Sequence, residues 1–357
     1  MARHRLMARN LPIARSVAQQ SVAGGLPHLL RVVSPGSYTR ARAAALLLLL
    51  LSTSGCSFVI RADELQTLAE VDQPALGEIS GIAHSSSYPD VYWVHNDTGD
   101  SARVFAIHLD GSVVLPPPPV DAGADHDAPS ANTQASAWPG IAIANARNVD
   151  WEELTLADGT LYIADIGNNA NARRDLGIYL VPEPDPQHTS VATALRFLPV
   201  SYPDQSAFPG DTWHFDCEAM FIDAGKLYFL TKHRRSGSLL GLTGGTKLYR
   251  MDTQYTDQTN MLQLIASSDA LVLPTAAALS PDASQLAVLT YQRLWLFARP
   301  ADGSDNWLAS AARVFDLPLL RSGQAEAVTW QNADTLIIAS ENRKLFRLPL
   351  RALRPAP

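Results

Sequence analysis

The chain has 357 residues, 46% hydrophobic and 18% charged, with 28 Lys and Arg against 35 Asp and Glu, for a formal net charge of −7. That balance argues against nucleic acid as a partner and against an electrostatic grip on anionic lipid. Two cysteines, Cys56 and Cys217, are too few for a disulfide scaffold.

Residues 1–55 hold seven arginines and no Asp or Glu. They end in Ala43-Ala44-Ala45 and the leucines Leu46 to Leu51, followed by Ser52-Thr53-Ser54-Gly55-Cys56. A basic stretch, a short apolar core and small residues before the break predict a secretory signal. Nine apolar residues span about half a bilayer core, too little for a permanent membrane helix. Ser54-Gly55-Cys56 resembles the lipobox of bacterial lipoproteins, which implies acylation of Cys56 as the first mature residue. The alternative is a plain soluble export signal. Loss of the segment removes seven of the 28 basic residues and none of the 35 acids, leaving the remainder near −14. With Cys56 lipidated, no intramolecular disulfide is available to Cys217, which lies inside a predicted inner strand, where a free Cys acts as a small buried hydrophobe.

Beyond the signal, a tether and closing strand are expected over 56–72 and one all-β domain over 73–357. A unit recurs there. A short strand opens on an acid, and an apolar strand follows about a dozen residues later. The openings are Glu78-Ile79-Ser80-Gly81, Glu152-Glu153-Leu154-Thr155, Glu218-Ala219-Met220-Phe221 and Glu326-Ala327-Val328-Thr329, with Thr275-Ala276-Ala277-Ala278 carrying Thr in place of Glu. The followers are Tyr92-Trp93-Val94-His95-Asn96, Leu161-Tyr162-Ile163-Ala164-Asp165, Leu227-Tyr228-Phe229-Leu230-Thr231, Leu286-Ala287-Val288-Leu289-Thr290 and Leu336-Ile337-Ile338-Ala339-Ser340. Third strands such as Gly177-Ile178-Tyr179-Leu180-Val181 and weaker fourth strands complete each unit. Repeats of this kind predict a β-propeller, with five blades, or six if one hides in the variable spacing. The last unit stops after its third strand, so Leu65 to Val71 is expected to supply the fourth and close the ring. Residues 113–139, with four consecutive prolines and then Ala, Asp and Ser, read as a disordered insertion.

In antiparallel pairs the start of one strand sits beside the end of the next, so the strand openings and the ends of the followers share one face of the disc. That places Glu78, Glu152, Glu218 and Glu326 around the mouth of the central channel. Asp97, Asp150, Asp165, Asp216 and Glu341 join the same rim, with Lys232 as the nearest counter-charge. Converging carboxylates raise one another's pKa unless a cation offsets them. Ca²⁺ favours oxygen donors of this kind and is the expected cofactor if one binds. The plainer alternative is that the carboxylates accept backbone N–H groups and fasten blade to blade. His95 and His214 are the histidines nearest the mouth and the candidate proton carriers. Elbow, zincin and Cys-pair motifs are absent.

Glu78-Ile79-Ser80-Gly81-Ile82, Asp150-Trp151-Glu152, Asp216-Cys217-Glu218 and Ala339-Ser340-Glu341-Asn342 resemble the exported bacterial β-propellers of the SdiA-regulated and phytase-like groups. The phytase-like likeness implies phosphoester hydrolysis, and the SdiA-regulated likeness implies a propeller without an assigned reaction. Two readings follow, with enzymatic activity left open. One is a monomeric, lipid-anchored binding module of the bacterial cell envelope, offering an acidic mouth to an envelope ligand or protein. The other is a metal-assisted phosphoester hydrolase.

Overall fold

Period-two alternation of β-branched and aromatic residues dominates the chain, and a computed structural model shows what it builds. The described residues are 58–60, 63–117 and 136–353. The expected export signal, Cys56 and the middle of the proline-rich insertion lie outside them. The regular structure among the described residues is nearly all strand, arranged as five blades.

Blade 1 runs from the axis outward through Ile79–His84, Tyr92–Asn96, Arg103–Ile107 and Ile141–Ala144. Blade 2 comprises Trp151–Ala157, Thr160–Asp165, Gly177–Pro182 and Arg196–Ser201, and blade 3 comprises Trp213–Asp223, Lys226–Arg234, Thr246–Met251 and Gln263–Ser268. Blade 4 is built from Pro274–Leu279, Gln285–Thr290, Arg293–Ala298 and Ala312–Asp316. Blade 5 has Ala325–Asn332, Thr335–Ser340 and Lys344–Pro349 from the C-terminal end, with Gln66–Glu70 as its outer strand. The closure expected from Leu65 to Val71 therefore forms, in antiparallel register with Gln66 opposite Arg347 and Glu70 opposite Lys344.

The segment joining the third and fourth strands of each blade reaches back to the outer edge of the preceding one. Val191–Thr193 adds a parallel strand to blade 1, and Asn260–Met261 does the same for blade 2. Between blades 4 and 3 the link is side-chain based. Trp307 is buried against blade 3, and Asp305 accepts from the Tyr228 hydroxyl at 2.8 Å. The N-terminal Phe58–Val59 straps blade 4 in parallel, and Asp72 N–H donates to the Gly111 carbonyl where blade 1 meets blade 5. Most outer edges are thus covered, which removes templates for intermolecular pairing. Of the expected insertion at 113–139, Val113 and Val114 are buried, and the Trp138 carbonyl accepts from Gln73 Nε2 at 2.8 Å.

The core lies between blades, where Trp93, Trp151, Phe229 and Phe346 are fully buried. No helix among the described residues is long and apolar enough to cross a membrane. Leu65 is fully buried with Ile60, Phe315, Leu317, Phe346 and Leu348, joining the N-terminal segment to blades 4 and 5. Leu65→Ala is expected to cost about 2–5 kcal/mol, by lost burial and the cavity left behind. Thermal unfolding should show one cooperative transition at lower temperature, and an unchanged midpoint would refute the closure's role.

Candidate functional site

Each innermost strand carries a β-bulge at an equivalent position, and those of blades 3 and 5 have a second irregularity elsewhere. The register shifts fall between Ile79 and Gly81, Trp151 and Glu153, Cys217 and Ala219, Pro274 and Ala276, and Ala325 and Ala327. The bulged residues are therefore Ser80, Glu152, Glu218, Thr275 and Glu326. A bulge leaves its residue unpaired and re-aims the side chain, so these five positions form one ring around the axis. This corrects the repeat alignment in blade 1. Ser80, not Glu78, is the counterpart of Glu152, Glu218 and Glu326. Glu78 is the counterpart of Asp150 and Asp216, two residues earlier, and is half-buried. A two-residue slip keeps every side chain on its own face, so alternation alone could not detect it.

The hydroxyls in the ring act as fasteners. Ser80 Oγ donates to the Glu152 carbonyl at 2.9 Å, and Thr275 Oγ1 donates to the Ala325 carbonyl at 2.9 Å. The carboxylates divide into two groups. On blade 3 they meet cations supplied by the long second strand: Lys232 Nζ lies 2.6 Å from Glu218, and Arg234 Nε lies 2.7 Å from Asp216. Arg234 also donates to Asn169 Oδ1. Lys232 further donates to the Tyr291 hydroxyl at 3.1 Å. Asp216 additionally accepts the Asn168 N–H at 2.7 Å. Although burial opposes it, Arg234 and Lys232 hold the Asp216 pKa below the ordinary value.

Blades 1 and 2 present the other group. Asp97, Asp150 and Glu152 are all buried. A Cβ on Gly167 would overlap both Glu152 Oε1 and the Asp150 carboxylate, so the two acids converge over the backbone that follows the second strand of blade 2. Burial raises the Glu152 pKa well above the carboxylate range, and the charges that raise it further are Glu218, Asp150, Asp97 and Asp216. Burial also raises Glu218, to about 7, against the pull of Lys232. Asn169 Nδ2 donates to Asp150 at 3.2 Å. Asp165 is set apart. It accepts the Asp150 N–H at 3.0 Å and pairs with Arg173 at 2.8 Å, a bracing role at the strand end. Glu326 is buried in the ring, and Glu341 is half-buried with its N–H bonded to the Gln324 carbonyl at 3.1 Å.

The two candidate histidines are not at the mouth. His95 is fully buried between blades 1 and 2, edge-on to Trp151 with centroids 5.6 Å apart, and its Nδ1 lies 2.9 Å from the Asn96 carbonyl. Burial lowers its pKa to about 4. His214 stacks on His233 within blade 3, centroids 3.8 Å apart, and burial lowers its pKa as well.

Sequence reading missed Glu153. It stands where the other blades have Gly81, Ala219, Ala276 and Ala327, and it is fully buried. Its carboxylate accepts the Leu154 N–H of its own strand at 3.0 Å and the Ala277 N–H of blade 4 at 3.0 Å. Blades 2 and 4 are not neighbours, so this side chain crosses the axis and floors the well beneath the ring. The Glu152-Glu153 doublet, unmatched in the other repeats, was the available signal. Among the described residues, no three His, Cys, Asp or Glu side chains already stand in position to ligate a metal ion.

No family model matches the chain, and no curated protein matches it in sequence. Solved structures align over most of its length. The PQQ-bound aldose sugar dehydrogenase of Streptomyces coelicolor is 11% identical, covering 82% of this chain and 97% of that one, with a TM-score of 0.44. A chain of the nidogen/laminin complex is 14% identical over 78% of each, with a TM-score of 0.38. The Neurospora crassa Pan2 WD40 domain is 9% identical over 75% of this chain and 62% of that one, with a TM-score of 0.31. These likenesses bear on architecture alone.

The raised carboxylates make stability pH-dependent. A raised folded-state pKa contributes stability that is present at low pH and lost as pH climbs through the folded value. His95 and His233 have the opposite sign, since their lowered pKa values, about 4, erode stability as pH falls below their ordinary 6.5. Below pH 6.5 the two effects oppose one another, so the carboxylate effect is read above it, where the melting temperature is expected to fall as pH rises. Glu152→Gln should flatten that slope. Glu218→Gln should instead cost about 3–5 kcal/mol at pH 8.5, where Glu218 is ionised, because it removes the carboxylate paired with a buried Lys232. Equal behaviour of the two variants would contradict the division of the ring.

Proposed function

We propose that the chain is an exported, lipid-anchored envelope propeller that serves as a binding module, its acidic well taking a divalent cation or the cationic part of an envelope ligand. The observation that supports this reading is the crowding at Glu152. It is buried, it converges with Asp150 over Gly167, and the four charges that most affect it are all carboxylates. A bound cation offsets that repulsion by holding the carboxylates in their ionised form, in competition with protons, and Asp97, Asp150 and Glu152 offer only oxygen donors, as Ca²⁺ prefers. Small side-chain shifts toward the ion would be needed to complete its shell. The likeness to SdiA-regulated exported propellers and the Gly55-Cys56 break agree with envelope placement. Metal-assisted phosphoester hydrolysis is the weaker reading, because His95 and His214 are packed away from the well and blade 3 engages Lys232 and Arg234 in ion pairs.

Titration calorimetry with Ca²⁺ at pH 8 should register binding, and Ca²⁺ should raise the melting temperature there more than at pH 6, where protons compete for Glu152. Asp150→Asn is expected to weaken binding at least tenfold, the loss of one formal charge from an oxygen-donor set. Absence of heat together with an unchanged melting temperature would leave the ring as a structural fastener. Turnover of a generic phosphoester, lost in Glu152→Gln, would favour the hydrolase. Separately, Cys56→Ser should move the protein from the membrane fraction to the soluble fraction.

A further inference from the structure

The N-terminal segment leaves almost no slack between the fold and residue 56. Phe58 and Val59 are already paired with Phe315 and Asp316, the end of blade 4's outermost strand. The Ile60 N–H donates to the Asp316 carbonyl at 2.9 Å, which extends the strap by one more bond. Only Ser57 separates the paired Phe58 from Cys56. The link from Phe58 back to position 56 is two residues, at most roughly 7 Å of extended chain.

Two aliphatic side chains are exposed near this point, beyond which the chain continues through the exposed Asp63 and the half-buried Glu64. Val59 is 66% exposed, and Leu320 is fully exposed on the short helix Leu319–Ser322 that follows blade 4. That helix belongs to the same patch of surface, because Arg321 Nη1 donates to the Leu65 carbonyl at 2.8 Å and pins it to the N-terminal segment. The patch lies at the rim on the mouth side. Asp316 pairs with Arg293, which opens the third strand just after the turn that ends at Thr290 on the mouth face.

We infer that the rim formed by Val59 and Leu320, between blades 4 and 5, is seated in the headgroup region of a lipid bilayer. This rests on the acylation of Cys56 proposed above. A lipid on Cys56 with so short a leash cannot hold the propeller away from the membrane, as a long polar linker would. It must bring this rim to the surface, and two exposed aliphatic side chains gain burial there. Lipid is favoured over a second copy of the chain as the occupant because the chain outside the fold ends on this rim at the expected acylation site. The disc then stands edge-on with the acidic well opening beside the lipid surface.

The test uses acylated full-length protein in phosphatidylethanolamine/phosphatidylglycerol vesicles. Leu320→Cys and, two blades away, Leu195→Cys are each labelled with an environment-sensitive fluorophore. Cys217 is fully buried and stays unlabelled. Quenchers attached to the lipid headgroups are expected to quench the label at 320 several-fold more than the label at 195. Inserting a twelve-residue Gly-Ser linker between Ser57 and Phe58 should abolish that difference while leaving the protein in the vesicle fraction. Equal quenching at both positions in vesicle-bound protein would overturn the seat and leave the anchor intact. Protein that never partitions into vesicles would overturn the anchor itself, and the seat with it. A label at 320 shielded in vesicle-free solution, with doubled molecular mass, would assign the face to a second copy and also overturn the seat.

Discussion

Five inner strands share one axis, and a ring of five is narrow enough for one side chain to cross it. Glu153 does so, accepting N–H groups from blade 2 and from blade 4. Burial raises its pKa well above the ordinary range even with those bonds, so this contact is held at an electrostatic cost. In return it ties together the inner strands of two blades that are not neighbours.

Above Glu153, the bulges decide which side chains face one another. A bulge in each inner strand, at its second residue in four blades and at Glu218 within the longer strand of blade 3, turns the same position inward five times, and the residue type at that position sets the local outcome. Hydroxyls at Ser80 and Thr275 bond to the next blade, whereas carboxylates at Glu152, Glu218 and Glu326 accumulate charge. Blade 3 offsets its share because its hairpin is longer than the others, carrying Lys232 and Arg234 above the ring. Blades 1 and 2 have no such extension, and repulsion concentrates on Glu152. The asymmetry of the well therefore follows from the length of one hairpin.

At the periphery, the back-reaching connections tie each blade to its predecessor, and the N-terminal segment continues that pattern on blades 4 and 5. Ring closure and edge protection are thus the work of one stretch of chain. The same stretch determines where any anchor at Cys56 must emerge.

Blade number, strand order and closure were legible because each depends on alternation and spacing, which are properties of the chain in one dimension. The acidic character of the mouth was legible for the same reason, since strand starts and strand ends share a face in any antiparallel stack. Three things were not. The equivalence of Ser80 rather than Glu78 with Glu152 depends on bulges, and a two-residue slip leaves the alternation unchanged. The bond from Glu153 to Ala277 joins residues 124 positions apart across the axis. The burial of His95 depends on Trp151 from the next blade. The sequence by itself determined that this chain is a repeated all-β ring with acids at one mouth, because local patterning suffices for that. Only the tertiary structure decided which acids meet, which are paired and which histidines are excluded, because those outcomes depend on distances between blades.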